Sequence, residues 1–247
     1  MARTWQTAWI TGASTGIGRE LALQLAQRGV TVAASARSAD KLAEVAAEQG
    51  NIRPVPLDVT NRAEVAASHA RLAAEMGGID LAVLNAGVWY PMNARNYDAG
   101  RAAQSMDVNY MGIVNVLEPL IPAMIARGHG HIALVASVAG YRGLPKAAAY
   151  APTKAAVISL AEVLRLELKR HNIVVSLVNP GFVETPMTSV NDFPMPFIIK
   201  ADDAARRIVR GLEKERFEIA FPWPLVAILK TLRMMPNGLY LRIASRL

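Results

Sequence analysis

The sequence predicts one doubly wound α/β domain: a parallel sheet of about seven strands with helices on both faces. Three observations predict it. Short runs that are mostly apolar alternate with helical periodicity, unbroken to about residue 220, as strands covered on both faces require. A glycine-rich turn joins the first strand to the first helix. No Ser/Gly linker, charge block or internal repeat divides the 247 residues, so a second domain is not expected.

Taken in order, strands are expected at 5–11, 30–36, 52–57, 81–84, 131–136, 173–178 and 216–220. Helices are expected between them, at 16–27, 39–48, 62–76, 100–125, 148–169 and 202–214. Residues 1–220 thus form a Rossmann-type unit. Two stretches break the rhythm: 184–200, rich in Met, Pro and Phe, and the tail 221–247.

Hydrophobic residues make up 52% and charged residues 19%, the balance of a packed globular chain. Cysteine is absent, which excludes disulfide scaffolds, thiolate metal sites and thiol redox chemistry. His69, His129, His131 and His171 are scattered, so no metal site is expected. The formal charge of +7 favours anionic ligands in general terms, but no basic motif with interleaved aromatics outside the tail points to nucleic acid. No signal peptide is read at the N-terminus and no apolar run approaches the ~18 residues of a membrane span. The expected location is cytoplasmic, with peripheral contact at the inner face of a membrane left open.

The turn Thr11-Gly12-Ala13-Ser14-Thr15-Gly16-Ile17-Gly18 lies where a parallel sheet offers amide N–H groups and a positive helix end to a pyrophosphate. Its spacing is Gly-x3-Gly-x-Gly, and no Lys-Ser/Thr follows to make a P-loop. Cofactor choice is written after the second strand, where a carboxylate takes the ribose hydroxyl of NAD and a basic group takes a 2′-phosphate. The residues there are Ser35-Ala36-Arg37, so NADP(H) is expected over NAD(H), held by the fork of Arg37.

Tyr150-Ala151-Pro152-Thr153-Lys154 opens a helical segment, and positions four apart share a helical face. A phenol of pKa ~10 is a poor base at neutral pH. An ammonium at about 4 Å, with an effective dielectric of about 20, favours the phenolate by about 4 kcal/mol before solvent losses. Such a tyrosine is expected to exchange a proton with a carbonyl or alcohol oxygen. Ser137 follows a strand at the same sheet edge as the glycine turn, in reach of that oxygen.

Thr11-Gly12-x3-Gly16-x-Gly18, Asn85-Ala86-Gly87, Asn109, Ser137, Tyr150-x3-Lys154 and Pro180-Gly181, in this order and spacing, resemble the motif set of the short-chain dehydrogenase/reductase family. The match spans residue 5 to about 220. The resemblance implies Tyr150 as proton donor or acceptor, Ser137 orienting the substrate oxygen, and Lys154 binding the nicotinamide ribose while lowering the tyrosine pKa. It implies that Asn109 holds a water in a relay toward Lys154. Gly12, Ser14, Thr15, Gly16, Ile17 and Gly18 would meet the phosphates, Asp58 and Val59 the adenine, and Asn85, Ala86 and Gly87 the cofactor's underside. Pro180, Gly181, Val183 and Thr185 would surround the carboxamide. Leu84 departs from the pattern, standing where many members carry a second Asn.

For the substrate side we expect Trp89, Val138, Tyr141 and Met187, with 184–200 matching the family's variable substrate loop. Their apolar character predicts a hydrophobic ketone, aldehyde or secondary alcohol. The tail carries Lys230, Arg233, Arg242 and Arg246 and no acidic residue, with a short apolar helix expected near 225–235. It is suited to packing on the fold or a partner chain, or to a membrane interface. The resemblance also implies oligomer contacts through such segments, hence a homodimer or homotetramer. The functional expectation is an NADP(H)-dependent carbonyl/alcohol oxidoreductase. The alternative is a non-catalytic NADP(H)-binding or membrane-associated scaffold, which the complete Asn109–Ser137–Tyr150–Lys154 set argues against.

Overall fold

The computed structural model describes residues 5–245. In chain order it contains β1 (Thr7–Thr11), α1 (Gly16–Ala26), β2 (Thr31–Ala36), α2 (Ala39–Glu48), β3 (Ile52–Pro56), α3 (Arg62–Met76) and β4 (Leu81–Leu84). There follow α4 (Ala99–Met106), a π-helical turn (Asp107–Met111), α5 (Gly112–Arg127), β5 (Gly130–Val135), α6 (Ala151–Leu168), β6 (Ile173–Pro180) and β7 (Val183–Glu184). The chain then forms β8 (Ile199–Lys200), α7 (Ala201–Glu213), β9 (Glu218–Phe221), α8 (Trp223–Met234) and α9 (Asn237–Ala244).

Among the described residues seven strands form one sheet in the order β3-β2-β1-β4-β5-β6-β9, every pair parallel. The order reverses between β1 and β4. At such a switch point the carboxyl ends of the strands open a crevice, and the site is built there. Central strands are buried on both faces, which is why their runs read as apolar without alternation. Leu21, Leu42 and Ile208, from α1, α2 and α7, fill one side of the sheet. Leu72, Leu120, Val157 and Leu225, from α3, α5, α6 and α8, fill the other. Burying each such side chain is worth about 1.5–3 kcal/mol, so both layers hold the sheet.

Element ends coincide with the expected ones or differ from them by at most three residues, and three differences matter. The helix expected at 100–125 is interrupted by the π-turn at Asp107–Met111, which turns Asn109 inward to complete burial. The helix expected from 148 starts at Ala151, because Lys146 and Ala148 are held by backbone hydrogen bonds to Met92. The stretch Ala99–Arg127 is long and apolar enough to cross a membrane by length and composition, contrary to expectation. Here α5 is a core helix that buries Ile113, Val116, Leu120 and Met124.

The tail packs on the domain through Leu225, Val226 and Leu229 of α8. Arg142 satisfies the open end of that helix: its guanidinium donates to the carbonyls of Leu232 (2.9 Å), Arg233 (3.0 Å) and Met235 (2.8 Å) and stacks 4.0 Å over the Tyr240 ring. Arg246, counted with the basic tail, lies outside the described residues.

Candidate active site

One cleft of about 420 Å³ runs along the carboxyl edge of the sheet at the switch point. Gly12, Ser14, Thr15, Gly16 and Ile17 form its floor at the start of α1. Gly12 has φ +68°, and a Cβ there would stand 2.8 Å from the Ala86 Cα, so only glycine lets the two turns touch. Thr15 precedes the helix without a side-chain cap, which leaves the first amides of α1 to face the cleft. Gly18 corrects an expectation: it does not line the cleft. A Cβ on it would lie 2.2 Å from the Gly12 carbonyl oxygen, so it is a packing glycine that shapes the turn from below.

Asn85 locks this turn. Its amide donates to the carbonyls of Thr11 and Gly12, both at 3.1 Å, while Thr11 Oγ1 accepts from the Asn85 and Ala86 amides. Arg37 is exposed beside the cleft after β2, with Asp58 and Val59 after β3. No carboxylate stands at the end of β2, whose Ser35 hydroxyl is taken by the Trp9 indole at 2.9 Å. Asn85, Ala86, Gly87, Pro180, Gly181, Val183 and Thr185 complete the walls. A narrow glycine floor, uncapped amides at a helix start and an elongated crevice fit a nicotinamide dinucleotide.

At the other end of the cleft lie Ser137, Tyr150 and Lys154. Ser137 ends the β5 segment in extended backbone; its hydroxyl donates to the Pro180 carbonyl at 3.3 Å and accepts from the Ala139 amide at 3.1 Å. Tyr150 precedes α6 rather than riding on its face. The Lys154 Nζ sits 5.5 Å from the Tyr150 ring centroid and donates to the Val135 carbonyl at 2.9 Å. Burial therefore governs both groups. It pushes the Tyr150 phenol up to about 12, against a hydrogen bond with Ser137 that pulls it down. It also pushes the Lys154 ammonium down to about 8. The expected lowering of the phenol by the amine is not found in this state, because the ammonium is itself buried and turned onto the β5 backbone.

Asn109 lies behind the cleft and does not line it. Its Oδ1 accepts from the Val88 amide at 2.7 Å, and its Nδ2 donates to the Val88 carbonyl at 3.0 Å and to Thr153 Oγ1 at 3.1 Å. Thr153 in turn donates to the Tyr150 carbonyl at 2.7 Å. The Asn109 side chain thus ties the Val88 backbone, in the loop after β4, to the first turn of α6. Thr153 escaped the sequence reading; its signal was a hydroxyl in the first turn of a helix, where it satisfies the backbone.

The substrate side departs most from expectation. Met187 lines the cleft. Trp89 does not, but its ring stands edge-on to Tyr150, with centroids 5.1 Å apart, and its indole donates to Asn191 at 2.9 Å. Val138 and Tyr141 belong to the core and do not reach the cleft: both are buried, and the Tyr141 hydroxyl donates to Glu218 at 2.5 Å. A 3-10 turn at Val138–Gly140 follows the strand end and places both side chains in the core. The loop from β7 to β8 is pinned by Trp89–Asn191 and by Lys146 to Asp192 at 2.7 Å. Phe193 sits under the Lys146 ammonium and against Phe182.

The family model for short chain dehydrogenases matches residues 6–193. The chain is 38% identical over 99% of its length, and 98% of the other's, to an uncharacterized oxidoreductase of Myxococcus xanthus. It is 32% identical to an uncharacterized oxidoreductase of Mycobacterium tuberculosis, over 98% of each. Two solved structures superpose with a TM-score of 0.85. One is a short chain dehydrogenase of Burkholderia cenocepacia in complex with NADP, at 30% identity and 98% coverage of each chain. The other is a short chain dehydrogenase/reductase of Burkholderia phymatum in complex with NAD, at 25% identity and 93% coverage of each. The chain belongs to the short-chain dehydrogenase/reductase family and is an oxidoreductase of the nicotinamide dinucleotide class.

Proposed function

We propose that this protein is an NADPH-dependent reductase of lipophilic carbonyl compounds, with Tyr150 as its proton donor. The observation that carries the reading is a half-buried phenol, held beside Ser137 and Lys154 at the reacting end of a dinucleotide cleft. A phenol at about 12 keeps its proton through the neutral range, which suits donation to a carbonyl oxygen better than abstraction from an alcohol. The bound dinucleotide supplies the hydride.

The chain's own residues do the rest. The amides at the start of α1 and the Gly12 turn would hold the pyrophosphate, and Arg37 the 2′-phosphate in a bidentate fork. Ser137 orients the substrate oxygen toward the phenol, and Lys154, with three donors, has two left for a ribose after its bond to Val135. Asn109 and Thr153 fix where Tyr150 stands. Met187 lines the cleft, with the Trp89 ring against Tyr150 and Phe193 in the loop beside it, and this apolar surround favours an aromatic or aliphatic ketone or aldehyde.

The test is oxidation of NADPH and of NADH, followed at 340 nm, across aromatic, polycyclic and fatty carbonyls and across small charged ones. Turnover concentrated in the lipophilic set with NADPH supports the reading. Turnover confined to charged substrates, or equal use of NADH, contradicts it.

A further inference from the structure

Ser137 serves the substrate oxygen only if its hydroxyl is held in place, and its position rests on two backbone partners, the Pro180 carbonyl and the Ala139 amide. Both belong to segments whose next anchor is the same side chain. Pro180 follows Asn179, whose buried amide donates to Glu218 Oε1 at 3.0 Å. Ala139 lies in the turn that ends at Tyr141, whose buried hydroxyl donates to the same oxygen at 2.5 Å. The second carboxylate oxygen takes Lys230 of α8. Lys230 and Arg233 also flank the Tyr141 ring, at 5.7 and 5.9 Å. Leu225 of the same helix presses on Gly181, where a Cβ would be 2.7 Å from its methyl. Glu218, Tyr141, Asn179, Lys230 and Arg233 do not line the cleft.

We propose that Glu218 is a positioning residue, through which the C-terminal helix α8 sets the orientation of the Ser137 hydroxyl. The inference rests on the reductase reading given above, and it deepens it. One carboxylate gathers three donors from three segments, so losing one of its two acceptor oxygens leaves the three donors competing for the other. Burial disfavours the Glu218 anion, but hydrogen bonds from Lys230, Tyr141 and Asn179 outweigh it and hold the carboxyl below its usual range. The carboxylate is therefore charged at neutral pH. A charged hub also explains why a tyrosine is kept in the core here: burial and the neighbouring anion push its phenol well above its ordinary value, so it remains a donor.

The test is a double-mutant cycle on the full chain. Glu218→Gln keeps the size but leaves one acceptor oxygen for three donors, so its N–H group meets either Lys230 or the Asn179–Tyr141 pair. Glu218→Gln is measured in the wild-type and in the Ser137→Ala background, for kcat, KM, NADPH affinity by fluorescence and thermal midpoint. We expect kcat to fall about ten-fold in the wild-type background with NADPH affinity within about two-fold, and to change less than about two-fold when Ser137 is already absent. Tyr141→Phe, which removes only a hydroxyl, repeats the cycle if the first variant folds poorly, and the same non-additive pattern is expected. Equal losses in both backgrounds, or no loss in the wild type, overturn the positioning role while leaving the reductase reading intact. A wild-type protein that turns over no carbonyl overturns both.

Discussion

The two ends of the cleft are built by different means. At the dinucleotide end, neighbours in sequence make the site: the turn from Gly12 to Ile17, Arg37 after β2, Asp58 after β3 and the Asn85–Gly87 turn each sit where a parallel strand ends. At the reacting end, residues far apart in sequence converge. Trp89 meets Asn191, Lys146 meets Asp192, Asn109 meets Thr153, and Tyr141 meets Glu218. Backbone geometry dictates the first kind of site, so residue types and spacing announce it; tertiary packing dictates the second.

The contrast is strongest at Gly18, which serves the dinucleotide end without touching its contents. Gly18→Ala would drive a methyl into the Gly12 carbonyl and the Asn85 amide. We expect more than a hundred-fold weaker NADPH binding and a loss of about 1–3 kcal/mol, lowering the thermal midpoint by roughly 3–10 °C. Fluorescence titration and thermal unfolding measure both. An alanine variant that binds normally would show that this turn tolerates what its geometry forbids.

Arg37→Asp tests whether the same end also selects its cofactor. Removing a charge-assisted fork to phosphate and offering a carboxylate to a ribose hydroxyl should cut kcat/KM with NADPH about ten- to a hundred-fold and leave or raise that with NADH. An unchanged NADPH preference would remove Arg37 from the account.

The pH profile probes the reacting end. Burial lowers Lys154 to about 8 and raises Tyr150 to about 12. Below about 8 the lysine is charged and the phenol protonated. Above it the lysine loses its charge while the phenol still holds its proton. Carbonyl reduction by kcat/KM, which reports the free enzyme, should therefore be flat near neutrality and fall by up to about ten-fold per pH unit above about 8. A profile flat to pH 10 would mean that the Lys154 charge is not needed. The smallest effect is expected at Lys146→Ala, which releases Asp192 and Phe193 at the entrance. A largely exposed pair is worth about 0.2–1 kcal/mol, so KM should rise no more than several-fold with kcat unchanged.

The same difference decides what is legible in the amino-acid sequence. The sheet, its order of strands and helices and the dinucleotide end followed from apolar runs and a glycine turn, because both are local demands of the backbone. Type and spacing point to Tyr150, Ser137 and Lys154, which meet at one end of the cleft, but burial rather than the amine dominates the phenol here. Spacing placed an ammonium near it but could not reveal that Lys154 is buried and bonded to Val135. Val138 and Tyr141 were assigned to the substrate because they follow a strand end; a single turn of 3-10 helix sends them into the core instead. Glu218 carried no local signal at all, since its partners lie on other strands and on α8.

The measurement closest to the central claim is Tyr150→Phe, which keeps the ring against Trp89 and deletes only the proton. NADPH binding should stay within about two-fold of wild type, while carbonyl turnover drops by roughly a hundred- to ten-thousand-fold. A phenylalanine variant that binds NADPH and reduces the same carbonyl at the wild-type rate would contradict the assignment of the proton to Tyr150, and with it the chemistry proposed for this cleft.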